Sequence, residues 1–321
     1  MKQVLITGGA GFIGSHVAHR LLAEGLRVSV LDNLDPYYDP AIKRRNLDEL
    51  RARAEDRFSF IEGDLRDAQA CREAVHGCDV VVHLAALAGV RPSLQDPARY
   101  MDVNVRGTQL LLNAIEDARV RLVFGSSSSV YGGNREVPFS EDHRVDRPVS
   151  PYAASKKAGE VLCYTWHHLR GNPVTCLRFF TVYGPGQRLE MAIHKFARMI
   201  SDGEPIPFFG DGSSRRDYTY VEDIAAGVRA AMEREAGYEI FNLGGSATTS
   251  LKELVAQVEA ALGTPASLDR QPDQPGDVPI TYADVTRAEQ ALGYRPETPL
   301  AEGVKKFCRW YLAEKAAGRV Q

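Results

Sequence analysis

The chain opens on MKQVLITGGAGFIGSHVAHRLL, a short β-branched stretch that runs into glycines and then straight into an amphipathic segment. Gly8, Gly11 and Gly14 stand at GxxGxxG spacing at that junction. Glycine permits a tight turn and a close approach of backbone to ligand, and a helix N-terminus offers unpaired N–H groups to a pyrophosphate. A strand-to-helix turn without a ligand can carry the same glycines, so the spacing alone is weak. Here the next strand, RVSVLD, ends in Asp32, eighteen residues after Gly14, where a carboxylate accepts from both hydroxyls of a ribose. Together the two features point to a bound dinucleotide. The negative charge of Asp32 repels a 2′-phosphate and so favours NAD over NADP.

The same texture continues. FSFIEGD, DVVVHLA and RLVFGS read as strands, with helical segments at FIGSHVAHRLLAEG, DAQACREAVHG and VNVRGTQLLLNAIEDA between strands. Alternating β and α units predict an α/β fold, a Rossmann-type doubly wound parallel sheet. SPYAASKKAGEVLCYTWHHLR reads as a long helix and VTCLRFF as another strand. After Thr181 glycine and proline become dense (YGPGQR, GEPIPFFGDGSS), which predicts a smaller, discontinuous α/β lobe for substrate. YEIFNL reads as a strand returning to the sheet, LDRQPDQPGDVPITYAD as a long proline-rich loop, and RAEQALGY and GVKKFCRWYLAEK as terminal helices. The expected division is residues 1–180 with a returning segment near 215–260 for the dinucleotide, and 181–214 with 261–321 for the substrate.

Composition narrows the classes. The formal net charge is −3, so no basic field exists to gather nucleic acid. No apolar run approaches the roughly 18 residues that span a bilayer. Five scattered cysteines without CxxC spacing argue against a disulfide framework or a zinc site and suit a reducing, cytoplasmic setting. No metal is expected.

FGSSSSVYGG places four serines where a strand ends, a composition shared by linkers and by site floors. Tyr152 and Lys156 follow at i, i+4 and share a helix face. A neighbouring ammonium favours a phenolate, and a positive nicotinamide adds to it, bringing a tyrosine towards the range of a general base. An ordinary amphipathic helix carries the same pair, with the tyrosine packed and the lysine solvated. Near the glycine turn, Asp64 and the small residues Leu84, Ala85 and Ala86 sit at the ends of the third and fourth strands. Phe12, Ile13, Asn33 and Leu65 join this cofactor wall. Asn104 reads either as a cofactor contact or as a helix cap. Lys43 is assigned to the cofactor, although the Lys43–Arg45 cluster also reads as a solvated helix face.

GGAGFIG, HLAA, SSSSVYG, SPYAASKKAGE, LRFFTVYGP and RRDYTYVEDIA resemble the extended short-chain dehydrogenase/reductases that act on nucleotide sugars, over nearly the whole chain. DNLDPYYDPAIK, LAALAGVRPS and TVYGPGQRLEMAIHKF are similar to the UDP-glucuronate 4-epimerase branch. The resemblance implies C4 epimerisation of a UDP-sugar with bound NAD, by transient oxidation, rotation of the 4-keto sugar and re-reduction. It implies Tyr152 as base and then acid. Lys156 holds the nicotinamide ribose and lowers the pKa of Tyr152, and Ser127 hydrogen-bonds the 4-oxygen. Ser129 is placed with them at the catalytic centre. Arg216 is implied as the diphosphate clamp, Asp277 as a ribose acid, and Lys195 as a further substrate contact. Phe209 lies against uracil or is a core aromatic. Thr181 with Arg188, or Arg91, receives a C5 carboxylate; Arg91 reads equally as a surface cation. The loop departs from the branch's usual RPDMA by reading Arg188-Leu189-Glu190-Met191-Ala192. A homodimer is the family's habit, through helices near 103–117 and 152–169.

Neighbouring chemistries within the resemblance differ at the serine run. A 4,6-dehydratase carries an Asp-Glu pair after the strand-end Ser or Thr, and a UDP-glucuronate decarboxylase carries Glu before Val-Tyr-Gly. This chain has serines there, Ser129 in the second position. UDP-glucose 4-epimerase is separated from the glucuronate reading only by the carboxylate argument. A relative that binds NAD without turnover is the alternative outside enzymes, and the retained Tyr152 and Lys156 count against it.

Overall fold

The computed structural model describes residues 2–54, 56–117, 119–235, 237–272 and 278–320. In chain order the strands are β1 (Gln3–Thr7), β2 (Arg27–Asp32), β3 (Phe58–Glu62), β4 (Val80–His83), β5 (Arg121–Ser127), β6 (Val174–Phe179), β7 (Thr181–Tyr183), β8 (Ile206–Phe209), β9 (Arg215–Arg216), β10 (Tyr218–Tyr220), β11 (Tyr238–Leu243), β12 (Thr249–Ser250) and β13 (Leu268–Gln271). Seven of them form one parallel sheet in the order β11-β6-β5-β4-β1-β2-β3. Apart from the half-buried Ile61 and Ile240 on the edge strands, their β-branched and aliphatic residues are buried on both faces, as a sheet covered by helices on each side requires. The returning segment 238–243 takes its expected place, running parallel to β6 from Tyr238↔Val174 to Leu243↔Phe179.

Helices Phe12–Ala23 and Val221–Ala231 cover one face of the sheet, and Ala68–Val75, Gly107–Ala114 and Pro151–Arg170 cover the other. The last of these is well specified locally. Ser150 accepts from Ala153 N, Pro151 pre-sets the first turn, and Gly171 ends the helix in the left-handed region at φ 77°. A third apolar cluster, with Tyr183, Ile193, Phe208, Leu254 and Phe307 at its centre, lies among helices Ala192–Ser201, Leu251–Leu262 and Leu300–Ala316. Ser250 and Glu253 close a capping box at the start of the second of these helices.

Three local expectations change. LDRQ is strand rather than loop, because Leu268–Gln271 pairs in parallel with Ile206–Phe209; its four residues are all exposed, so no alternation marks them in the sequence. Asp64 lies two residues past the end of β3, which stops at Glu62. Asn104 does not begin a helix, since Pro97–Met101 and Gly107–Ala114 are joined through a wide turn at Asp102–Arg106. Among the described residues no helix is long and apolar enough to cross a membrane.

Because β1 lies between β2 and β4, the chain reverses its direction of winding there. The crevice at the carboxyl ends of the strands is where such a sheet receives a ligand.

Candidate active site

That crevice is a cavity of about 570 Å³, lined from Gly8 and Gly11 at one end to Arg188, Arg216 and Thr281 at the other. At the first end β1 stops at Thr7 and Gly8 turns with φ 72°. A Cβ on Gly8 would meet the Ala85 backbone at 2.7 Å, so only glycine lets the turn nest against the end of β4. The helix that follows has no side-chain cap at Gly11, leaving its first N–H groups facing the cavity. Asp32 Oδ2 accepts from Ala10 N at 3.2 Å and Oδ1 from Leu34 N at 2.9 Å. Burial raises the Asp32 carboxyl, against the pull of Lys43 and these two amides. Uncapped amides that donate to a diphosphate, beside a buried carboxylate that accepts from ribose hydroxyls, are what a dinucleotide needs, so the residues present fit NAD.

Lys43 is buried rather than solvated. Its Nζ donates to Asp35 O at 3.0 Å and stands 3.9 Å from Asp32 Oδ1, while Arg44 stays exposed. Asn33 Nδ2 donates to Asp64 Oδ2 at 2.8 Å. The Arg66 guanidinium holds the Asp64 carboxyl down at about 2, overcoming its partial burial. Phe12, Ile13, Gly14, Asp32, Asn33, Lys43, Asp64, Leu65, Leu84, Ala85 and Ala86 all line the cavity. Asn104 stands behind this wall. Its Nδ2 donates to Leu87 O and Ser155 Oγ and its Oδ1 accepts from Leu87 N, so it holds the 84–89 loop and caps nothing.

His83 gives that loop a second anchor, one that the sequence did not flag. Its Nδ1 meets Thr7 Oγ1 at 2.7 Å and its Nε2 meets Thr108 Oγ1 at 2.9 Å, while Ala85 N donates to the same Thr7 hydroxyl. Complete burial, with the Lys156 charge nearby, pushes the imidazole down to about 3. It is therefore neutral across the physiological range.

β5 ends inside the serine run at Ser127, and Ser128–Tyr131 form one 3₁₀ turn, so the run is no linker. Ser126 points inward to Glu160 Oε1 at 2.7 Å. Ser127 accepts from Ser129 N at 3.1 Å, and its hydroxyl is near enough to the Tyr152 phenol to favour the phenolate. Ser129 Oγ is buried against the cavity with no protein partner among the described residues. Tyr152 and Lys156 share the helix face towards the cavity as expected, but their electrostatics differ from expectation. Burial raises the Tyr152 phenol, and the two groups that lower it are Ser127 and the Arg188 cation. Lys156 Nζ is engaged elsewhere, donating to Gly125 O at 2.7 Å, and burial lowers its ammonium to about 8.

At the far end Thr181, Arg188, Arg216 and the exposed Arg91 line the same cavity. Lys195, on helix Ala192–Ser201, and Phe209, at the end of β8, stand outside its lining. Asp277 lies outside the described residues. Among the lining side chains not singled out from sequence are Tyr37 and Tyr38 from DNLDPYYDP, and Thr281 from the proline-rich segment. The DPYYDP tyrosines carried a signal in their motif; Thr281 carried none.

Behind the serines lies a sealed polar network that sequence spacing does not reveal. Arg178 on β6 makes a two-pronged pair with Glu160, Nε to Oε1 at 2.8 Å and Nη2 to Oε2 at 3.0 Å. Arg178 Nη1 reaches Tyr131 OH at 3.0 Å, which donates to Asn242 Oδ1 at 2.7 Å. The network joins β5, β6, β11 and helix Pro151–Arg170 beneath the site.

The sequence profile of the NAD dependent epimerase/dehydratase family matches residues 4–244. A UDP-glucuronate 4-epimerase of Thermodesulfobacterium geofontis is 42% identical, covering 97% of this chain and 96% of its own. The crystal structure of UDP-glucuronic acid 4-epimerase from Bacillus cereus, with UDP-glucuronic acid and NAD, superposes with a TM-score of 0.91 at 34% identity, covering 97% and 99% of the two chains. A dTDP-glucose 4,6-dehydratase from Streptomyces venezuelae superposes nearly as well, with a TM-score of 0.90 at 33% identity over 98% of each chain. Similarity of fold therefore leaves the choice among reactions to the residues of the site.

Proposed function

The chain belongs to the NAD dependent epimerase/dehydratase family, and we infer that it is an NAD-dependent C4 epimerase of UDP-sugars, interconverting UDP-glucuronate and UDP-galacturonate. The observation that carries the site assignment is a single cavity. It joins the glycine turn to the Tyr152 phenol beside Ser127, with Arg188 and Arg216 beyond.

In this reading the amides at Gly11–Ile13 and the Asp32 carboxylate hold NAD, which when bound accepts a hydride from the sugar and returns it. Lys156 lies on the cavity wall beside Tyr152 and is assigned to the nicotinamide ribose. Tyr152 takes the proton of the 4-hydroxyl and later gives it back, and Ser127 holds the same oxygen. Burial works against the phenolate, so the nearby Ser127 hydroxyl and the positive charge of Arg188 are what oppose it among the protein groups. Arg216 is assigned to the UDP diphosphate, a task suited to a planar guanidinium. The segments 181–214 and 261–321 are assigned to the UDP-sugar, Phe209 to uracil, and Lys195 and Asp277 to its outer groups. Between the two hydride steps the 4-keto sugar turns about its diphosphate linkage and presents its other face.

Thr181 and Arg188, facing one cavity with Tyr152, favour an acidic sugar over the neutral UDP-glucose. A glucuronate oxidised at C4 is a β-keto acid that can lose CO₂. Ser129 stands where the decarboxylase branch carries an acid, so no carboxylic acid side chain is present at that position. Exposed Val161 and Tyr164 on helix Pro151–Arg170 are consistent with a homodimer, and five buried free cysteines with a reducing cytoplasm.

Incubation with UDP-glucuronate and chromatography of the products tests the assignment. UDP-galacturonate is expected from the wild type. Tyr152→Phe should lower kcat by about 10²- to 10⁴-fold while UDP binding survives. A Tyr152→Phe enzyme that turns over at the wild-type rate removes the phenol from the mechanism.

A further inference from the structure

Arg188 rises from a loop whose base is pinned on both sides. His16, on helix Phe12–Ala23, meets Pro185 O at 2.9 Å, and His194 Nδ1 meets Gln187 O at 2.6 Å. Gln187 N donates to Gly184 O, and Met191 N to Arg188 O. The loop carries the Arg188 side chain into the cavity wall. Its guanidinium lies over the Tyr37 ring, 5.6 Å from the centroid. That ring is fixed in turn by a hydrogen bond from Tyr37 OH to Ala88 O at 2.5 Å. Among the described residues Nη2 donates to the weak acceptor Met191 Sδ at 3.6 Å, and Nε pairs with Glu190 Oε1 at 3.2 Å. The arginine side chain is 17% exposed and lines the cavity, whereas the glutamate is 49% exposed and stands outside the lining.

We propose that Glu190 is an internal rival for the substrate's carboxylate, holding Arg188 until an acidic sugar displaces it and taking the guanidinium back when the sugar leaves or turns. This rests on the reading of an acidic UDP-sugar given above. Two physical points carry it. A carboxylate half in water forms a weak, salt-screened pair that a second carboxylate can replace. Whether it is displaced or only crowded, its negative charge repels an incoming carboxylate and leaves a neutral hydroxymethyl group unaffected. The Glu190 side chain, two residues on from Arg188, is long enough to bring its carboxylate to Nε. The rival also bears on the reaction itself. The 4-keto sugar must release its carboxylate contact to turn over, and Glu190 offers Arg188 a partner while it does.

The test measures equilibrium binding of UDP-glucuronate and UDP-glucose to NAD-loaded Tyr152→Phe enzyme, with and without Glu190→Gln. Removing the rival charge should tighten UDP-glucuronate about two- to fivefold, the range of an exposed ion pair, and leave UDP-glucose and the unfolding midpoint unchanged. Tightening of both sugars alike, no change in either, or weaker UDP-glucuronate binding would overturn the proposal. The last result would make Glu190 a support that orients Arg188. Because binding is read rather than turnover, failure of the wild type to epimerise UDP-glucuronate would count against the functional reading alone.

Discussion

Two arginine–glutamate pairs flank Thr181, and they behave as different objects. Arg178–Glu160 lies under the serine floor with side chains 1% and 0% exposed, joined at two points and surrounded by Ser126, Lys157 and Tyr131. Arg188–Glu190 lies ten residues on, 17% and 49% exposed, joined at one point and open to solvent. The chemistry of the partners is the same; burial and the number of supporting hydrogen bonds decide the role. A sealed pair cannot exchange without leaving a buried charge, so it fixes strand ends. An open pair costs little to break, so its arginine remains available to a ligand.

The largest expected effect breaks the inner pair. Glu160→Ala leaves Arg178 buried without its counter-ion and should cost about 3–5 kcal/mol in chemical denaturation. Glu190→Ala should cost less than about 1 kcal/mol. Equal losses at the two sites would erase the distinction. Next comes Arg188→Leu, which removes a charged hydrogen-bond donor from the cavity. The kcat/KM for UDP-glucuronate should fall about 10- to 100-fold, that for UDP-glucose less, with stability unchanged. A fall in stability instead of selectivity would move Arg188 into the structural class.

Acid sharpens the comparison from the interior side. His83 is held at about 3 in the fold against an ordinary value of 6.5, so the unfolded chain binds its proton first. Its contribution is fully present above pH 6.5 and is lost as pH falls from there towards 3. The slope for one proton is about 1.4 kcal/mol per pH unit. Urea midpoints between pH 7 and 5 should therefore decline, and His83→Gln should flatten the decline by about one proton. Glu160 enters only lower. Burial pushes its carboxyl up, but the Arg178 pair, Lys157 and Ser126 hold it below its ordinary value of 4.5, so its share is lost only as pH drops beneath that point.

These contrasts explain what the sequence disclosed. The glycine turn, Asp32, the parallel strands and the Tyr152–Lys156 face are local or periodic, and each was legible because short-range geometry dictates it. Resemblance supplied Arg188, Thr181 and Arg216, which the cavity gathers, and Lys195 and Phe209, which stand outside its lining. Glu160 and Arg178 meet across eighteen residues through packing of a helix on the sheet, and no spacing rule announces that contact. Asn104 caps no helix because its helix continues through the wide turn at Asp102–Arg106, a continuity that spacing does not reveal. Lys43 sits in a cationic run whose middle residue, Arg44, faces water, so charge alone concealed that its ammonium turns inward. The direction of the Tyr152 shift was also out of reach, since burial and the position of Arg188 are tertiary facts.

The central claim is that one carbon loses and regains the same hydride. UDP-glucuronate carrying deuterium at C4 tests it directly, with mass and NMR analysis of the product. The account expects UDP-galacturonate with the deuterium retained at C4 and none exchanged into water. Loss of the label to solvent, or release of CO₂ with a UDP-pentose, would contradict it.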